Sequence, residues 1–342
     1  MDTGLSALNP GKTEHMTKKR IVSGMRPTGK LHLGHLHGAL LNWKRLQDDY
    51  ECFYFIADWH ALTSEYAHPE IIRESLYDII MDWISVGLDP DVSTFFVQSQ
   101  IKVHAELHLI FSMITPLPWL ERNPTYKDQL RELSQKDIHT YGFLGYPVLQ
   151  AADILIYKAN GVPVGEDQAP HVELTREIAR RFNHVYREVF PVPDVLLTPT
   201  SKLLGIDRRK MSKSYDNAIY LTDTDEEIDR KVAQMITDPQ RKRKDDPGDP
   251  SICNVFSFHE MYTELEVTTR ISEGCRSADI GCVECKKIIS ERLKRSLEPV
   301  RAVRKELEAD TKRVVEIVRE GNARAGTIAN ETMEEVREAV KI

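Results

Sequence analysis

"SGMRPTGKLHLGHLHGALLNW", residues 23–43, runs from the end of an apolar strand through a Gly/Pro turn into a helix. It puts Gly34 and His35 at a helix N-terminus, where free backbone N–H groups and the helix dipole favour an anion. His32 and His35, three residues apart, can then face one phosphate. Imidazole N–H donors suit charge that develops on oxygen in phosphoryl or nucleotidyl transfer, where positioning and electrostatics carry most of the work. As a metal site the pair is poor, with two ligands and no nearby carboxylate. A histidine pair in a turn can also be a structural accident, so the rest of the chain has to decide.

Outward from this stretch the strand-helix alternation continues. The β-rich runs "RIVSGM" (20–25), "CFYFIAD" (52–58) and "STFFVQS" (93–99) are separated by helical stretches, and within 69–88 Ile72, Leu76, Ile79, Ile80 and Trp83 recur at helical spacing. Such alternation predicts an α/β fold: a doubly wound parallel sheet with helices on both faces, which binds ligands beyond the carboxyl ends of its strands. After about residue 222 the strands fade, and charged helical patterns cover 286–319 and 322–341. The expected division is a sheet-bearing domain over 19–222 and an all-helical domain over 223–342. Residues 1–18 are polar and aperiodic and are expected to form a mobile tail.

With 342 residues the chain can bury a substantial core. No apolar run approaches the ~18 residues a membrane span needs, and no leader pattern opens the sequence, so the expected location is the cytoplasm with no membrane partner. A formal charge of -7 argues against a protein that coats DNA or RNA non-specifically. Local basic faces remain open at "REIARRFNHVYR" (176–187) and "RKRK" (241–244), although such runs are usually solvated surface.

"RRKMSKSYDN" (208–217) supports the first turn. Lys210 and Lys213 sit in a stretch where a mobile loop can bring two ammonium groups onto phosphates when the chemistry needs them. The bland alternative is a solvated loop, yet an exact K-M-S-K-S string arises by chance on the order of once in ten thousand chains of this length.

The H-x-G-H and K-M-S-K-S signatures resemble those of class I aminoacyl-tRNA synthetases, which activate an amino acid with ATP and esterify it to tRNA. "SGMRPTGKLHLGH" (23–35), "FYFIADWHALT" (53–63), "YPVLQAADILIY" (146–157), "VPVGEDQ" (162–168), "HVELTREIARRFN" (171–183) and "RRKMSKS" (208–214) together are similar to the tryptophanyl-tRNA synthetases, over roughly residues 20–340. The resemblance implies a Rossmann-like catalytic domain ending in the K-M-S-K-S loop, and a helical domain that binds the tRNA anticodon. It implies ATP contacts at Arg26, Pro27, Thr28, Gly34, His35, Gly165, Glu166, Asp167, Lys210, Met211, Ser212, Lys213 and Ser214, with Leu203 against the adenine. His32 and His35 would stabilise the α-phosphate, and Lys210 and Lys213 the leaving pyrophosphate. Mg²⁺, L-tryptophan, tRNA(Trp) and a homodimer follow from the same resemblance, with no covalent enzyme intermediate.

"YPVLQAADILIY" reads as a helix with Tyr146, Gln150 and Asp153 on one face. A buried carboxylate must find a donor, which an indole N–H, a phenol O–H or the protein itself could supply. The related tyrosyl-tRNA synthetases share a Tyr-x3-Gln-x2-Asp helix and carry a Tyr two residues before the Pro of the first turn. Met25 stands there, and a thioether lines a large flat ring better than it hydrogen-bonds a hydroxyl. Many bacterial tryptophan enzymes have Met at the position of Gln150, so this chain departs from them there. An N–H-reading site would leave Asp153 unpaired when phenylalanine enters.

Cys253, Cys275, Cys282 and Cys285 follow the pattern C-x21-C-x6-C-x2-C in a chain with five cysteines. In a reducing compartment such a set is read as metal-binding before it is read as disulfides. Four soft ligands select zinc or iron–sulfur, and the C-x2-C half-site by spacing alone favours structural zinc. The arrangement resembles that of tryptophanyl-tRNA synthetases with a [4Fe-4S] cluster in the C-terminal domain, so a cluster is the expectation, with zinc as runner-up. Cys52, alone in an apolar strand, reads as core.

Overall fold

The computed structural model describes residues 18–133, 135–198 and 203–342. The tail expected over 1–18 lies outside these, Lys18 excepted. Five strands, β1 (Arg20–Met25), β2 (Glu51–Ile56), β3 (Ser93–Val97), β4 (Gly161–Val164) and β5 (Asp194–Leu197), form one parallel sheet in the order β3-β2-β1-β4-β5. Successive side chains of a strand point to opposite faces, and the two cores follow that alternation. Ile21, Tyr54 and Phe95 enter one core with Ile79 and Trp83 of α1 (Glu70–Ser85). Val22, Phe53 and Phe96 enter the other. There they meet α2 (Val103–Ile114), α3 (Tyr141–Leu155) and α4 (Ala169–Val185). The sheet is therefore covered on both faces.

From β1 the strand order runs to β2 and β3 on one side and to β4 and β5 on the other. The switch lies between β1 and β4, and a crevice opens beyond their carboxyl ends at Met25 and Val164. The turn after β1 enters this crevice, where Gly24, Met25 and Arg26 line its cavities.

Beyond residue 222 the chain is helical: α5 (Asp225–Gln234), α6 (Asn254–Tyr262), α7 (Leu265–Arg276), α8 (Cys282–Ala309) and α9 (Thr311–Val340). The packing does not divide there. Leu293 and Leu297 of α8 complete the first core, and Ala325, Ala329 and Met333 of α9 complete the second. The helix break expected near 320 falls instead at Asp310, whose side chain caps α9 through Arg313 N. Gly321, inside the expected gap, lies mid-helix because α9 presses on the edge strand: a Cβ there would come within 1.7 Å of Phe95 O. The next residue, Asn322, accepts from Val97 N at 2.9 Å, satisfying a donor that an edge strand otherwise exposes. No helix among the described residues is long and apolar enough to cross a membrane.

Candidate active site

The turn after β1 holds its two histidines by backbone hydrogen bonds. His32 caps the short helix Leu33–His35: its Nδ1 accepts from Gly34 N at 3.1 Å, and the Nδ1 of His35 accepts from His32 N at 3.2 Å. With both Nδ1 atoms accepting, the ring protons sit on Nε2, so each histidine is a neutral donor. Burial, then the nearby Lys213 charge, lowers the His32 pKa to about 4; burial, His32 and Lys213 push that of His35 well below its ordinary value. The ring centroids are 3.8 Å apart.

One expectation is corrected here. The amides at the helix start are not free for an anion: Leu33 N bonds Ile219 O, Gly34 N bonds His32 Nδ1 and His35 N bonds His32 O. The segment after the K-M-S-K-S loop pairs with the turn, accepting from Leu33 N and donating from Leu221 N to Leu31 O, while His32 itself takes up the amides of Gly34 and His35. The donors the turn still offers are the imidazole Nε2–H groups.

The loop is organised by Asn217, which is 1% exposed. Its Oδ1 accepts from Ser212 N, and its Nδ2 donates to Asp207 Oδ1 and Lys210 O. Met211 is buried, packing towards Gly34. Lys213 folds over the first turn and donates to Thr28 O at 2.9 Å. Burial lowers its pKa to about 8, Arg26 adding to the effect and Asp82 opposing it. Lys210, by contrast, is exposed, so one of the two lysines is brought to the turn and the other is not. Leu203 and Pro27 are buried. Arg26 lines a cavity beside the turn, and burial lowers its pKa. Gly165 lines the neighbouring cavity, while Glu166 and Asp167 are exposed on the turn after β4. The side chain of Ser214 is outside the described set.

Two adjoining cavities of about 260 and 160 Å³ occupy the crevice. Gly24, Phe55, Gln150 and Gln168 border both. Met25 and Asp153 line the larger, and Arg26, His60 and Tyr146 the smaller. Gly24 is required by close approach, since a Cβ would lie 2.5 Å from the Phe55 ring. Tyr146 shares a 2.8 Å hydrogen bond with His171 Nε2.

Asp153 is fully buried and does not wait for a ligand to find a donor. His60 Nε2 reaches Oδ2 and His104 Nδ1 reaches Oδ1, each at 2.6 Å, while Gln98 Nε2 lies 2.8 Å from both oxygens. Tyr157 OH closes the far side of His104 at 2.6 Å. Burial alone would raise the Asp153 pKa, but the bonds from His104 and His60 hold it below the ordinary value. A carboxylate offers about four lone-pair sites, and these four contacts meet each oxygen twice, so a ligand donor would have to take a place that Gln98 now shares between them. His60, Gln98, His104 and Tyr157 escaped the sequence reading; their signal is polarity inside apolar runs, as in "FYFIADWHALT".

Cys253 precedes α6, Cys275 lies in the last turn of α7, and Cys282 and Cys285 open α8. Burial pushes the Cys285 thiol up to about 12, and the charges of the other three add to it. Arg241 Nη1 is 3.8 Å from Cys275 Sγ, and His259 Nε2 is 3.3 Å from Cys285 Sγ. N–H donors thus stand beside two of the four sulfurs, as they do around thiolate-ligated groups. Among the described residues, however, no three His, Cys, Asp or Glu side chains are grouped to hold a metal ion. The expected cluster is therefore not displayed as a formed ligand set.

The family profile described as "tRNA synthetases class I (W and Y)" matches residues 14–298. The chain is 47% identical to the tryptophan–tRNA ligase of Aquifex aeolicus, covering 94% of this chain and 100% of that one. It is 52% identical to the tryptophan–tRNA ligase of Thermotoga maritima, with 94% and 99% covered. A crystal structure of the tryptophanyl-tRNA synthetase of Campylobacter jejuni, complexed with ADP and tryptophan, superposes with a TM-score of 0.86 at 30% identity, covering 94% of this chain and 100% of that one.

Proposed function

The chain belongs to the class I tRNA synthetases of the tryptophan and tyrosine group, and from that premise we infer that it is a tryptophan–tRNA ligase. The observation that carries tryptophan over tyrosine is the 47 and 52% identity to tryptophan–tRNA ligases over almost the whole length of each chain. The cavity agrees in chemistry: Met25 and Phe55 supply apolar walls, and Asp153 places a buried carboxylate at its edge towards which an indole N–H can turn. The tryptophan carboxylate attacks the α-phosphorus of ATP, the bond to the bridging oxygen breaks, and pyrophosphate leaves. The ribose hydroxyl at the 3′ end of tRNA(Trp) then attacks the acyl carbon and AMP departs. His32 and His35 offer Nε2–H groups to the α-phosphate, and Lys213 an ammonium to the leaving pyrophosphate. Lys210 reaches it only after the exposed loop moves. Mg²⁺ supplies charge neutralisation along the phosphates when bound. Pyrophosphate–ATP exchange with each amino acid in turn tests the reading. Exchange that depends on tyrosine and not on tryptophan would overturn it.

The enzyme works in the cytoplasm, and residues 223–342 carry the tRNA anticodon contacts. It is a homodimer. On α2 the residues Ala105, Leu109 and Met113 form an exposed stripe that continues to Leu117, with Leu109, Met113 and Leu117 56, 72 and 59% exposed. Charged residues are the rule on such a face, and an apolar stripe calls for a second copy. Leu109→Asp with Met113→Glu is expected to halve the mass seen by sedimentation; a wild-type chain that sediments as a monomer would exclude the dimer.

Cys253, Cys275, Cys282 and Cys285 hold a [4Fe-4S] cluster, with zinc as the alternative. In favour is the four-cysteine pattern, since a cubane takes one thiolate at each of four irons. Arg241, His259 and the Lys286 ammonium bring positive charge and N–H donors to the sulfurs. When bound, the group cross-links α6, α7 and α8. Protein purified without oxygen is expected to be brown, with about four irons and four sulfides per chain. A colourless protein with one zinc would exclude the cluster and keep the ligands.

A further inference from the structure

α6 hydrogen-bonds to both phosphate motifs, one at each of its ends. At its start Asn254, 3% exposed, donates from Nδ2 to Gly205 O at 2.8 Å. Gly205 closes the base of the K-M-S-K-S loop: its N–H donates to Arg209 O, and the next amide, Ile206 N, donates to Asn217 O at 2.9 Å. The side chain of Asn217 then holds Ser212 N and Lys210 O. At the other end of α6, Tyr262 OH meets His37 Nε2 at 2.6 Å, with the two rings edge to face. His37 stands two residues beyond His35, in a π-helical turn, Leu36–Leu40. Such turns are rare and recur at functional sites.

Between these ends the helix is fixed. Val255 and Phe258 enter the first core, and His259 Nε2 donates to Cys285 O of α8 at 3.2 Å. As packing alone Asn254 is a poor choice, because its Oδ1 is buried with no partner among the described residues and an unsatisfied buried acceptor is costly. An apolar residue would avoid that cost, but it would leave Gly205 O without this donor. The carboxamide therefore serves the loop more than it serves the core.

We propose that α6 is a strut that sets the K-M-S-K-S loop against the histidine turn, with Asn254 and Tyr262 as positioning residues for adenylate formation. The inference rests on the tryptophan-activating reading above. Neither residue is among those lining the two cavities, so their effect falls on the phosphate chemistry and not on tryptophan binding. A displacement of about 1 Å in the reacting groups can cost on the order of 100-fold in rate.

The test compares wild type, Asn254→Ala, Tyr262→Phe, their double variant and His37→Gln in tryptophan-dependent pyrophosphate exchange, with rates divided by active sites counted from the adenylate burst. Each of Asn254→Ala and Tyr262→Phe is expected to lower kcat per active site about 5- to 50-fold, between the loss of one neutral hydrogen bond and a full displacement of about 1 Å. The KM for tryptophan should stay within about twofold. His37→Gln, which keeps a hydrogen-bonding group for Tyr262 OH, is expected closer to wild type than Tyr262→Phe. The double variant separates a strut from two local defects. The two contacts lie at opposite ends of a nine-residue helix, about 12 Å apart at roughly 1.5 Å per residue, and independent defects at that distance add. A strut cut at one end is already lost, so the double variant should cost little more than the worse single one. If Asn254→Ala fails to fold, Tyr262→Phe and His37→Gln decide the matter through the split between kcat and KM. Unchanged kcat per active site in folded variants, a loss carried by the KM for tryptophan, or full additivity in the double variant overturns the proposal. A wild-type protein without tryptophan-dependent exchange would overturn the parent reading and this one with it.

Discussion

Asp153→Asn is expected to lower kcat/KM for tryptophan activation by 100-fold or more, on the scale of the roughly 3 to 5 kcal/mol lost when one partner of a buried charged network is removed. A carboxylate that only bonded an indole N–H would cost less, about 1.5 to 3 kcal/mol. The larger figure follows from its surroundings. His60 and His104 each place a ring nitrogen 2.6 Å from one oxygen, and Gln98 approaches both. Asparagine supplies one carbonyl where two oxygens were in use, and its amide N–H₂ would face ring or amide donors at zero exposure. His60 lines the cavity next to Tyr146 and Gln150, so its release would reshape the wall as well as remove the acceptor. Discrimination should fall with activity: the ratio of kcat/KM for tryptophan to that for phenylalanine collapses, because the site no longer penalises a ring without an N–H. The checks are exchange kinetics with both amino acids and a melting curve to establish that the variant is folded. Undiminished tryptophan activation would leave Asp153 a purely structural residue.

The parts of this site that could be read from sequence were those whose chemistry is local. The strand, turn and helix of 20–46, the two histidines and the K-M-S-K-S loop each declare themselves within a few residues, and Met25 and Asp153 stand on elements whose periodicity fixes the face they present. What could not be read depends on partners far away in the chain. The Leu33 amide looks free until Ile219 O returns to accept from it, and Asp153 looks unpaired until Gln98 and His104 arrive from beyond β3. Asn217 lies inside the quoted loop, yet a single Asn carries no sign that three loop contacts converge on it. Gly321 misleads in the opposite sense. Its lack of a Cβ resembles a helix stop, but the reason for it is Phe95 O on another element. The division at residue 222 likewise follows composition, whereas the cores follow the route of α8 and α9.

Lys213→Ala is expected to slow adenylate formation by ~100-fold or more and to leave tryptophan affinity nearly unchanged, because a cation aimed at charge that develops on the leaving pyrophosphate acts mainly in the transition state. The geometry makes Lys213 the better placed of the two loop lysines. Its ammonium already lies against Thr28 O, whereas Lys210 is exposed. The His32 and His35 rings are neutral at pH 7, since burial holds their pKa values low, so a permanent positive charge at this end of the site has to come from groups such as Lys213 and Arg26. Burial also leaves a titration signature. With its pKa lowered to about 8, Lys213 is charged below that pH and loses its proton as the pH rises through it. In the wild-type enzyme kcat/KM for ATP should therefore decline on the alkaline side from about pH 8, and that limb should be missing from the Lys213→Ala profile. Single-turnover adenylate formation measured across pH, beside tryptophan binding by fluorescence, separates the two effects. A loss accounted for by weaker tryptophan binding, or an alkaline limb retained in the variant, would move the leaving-group role to another cation of the site.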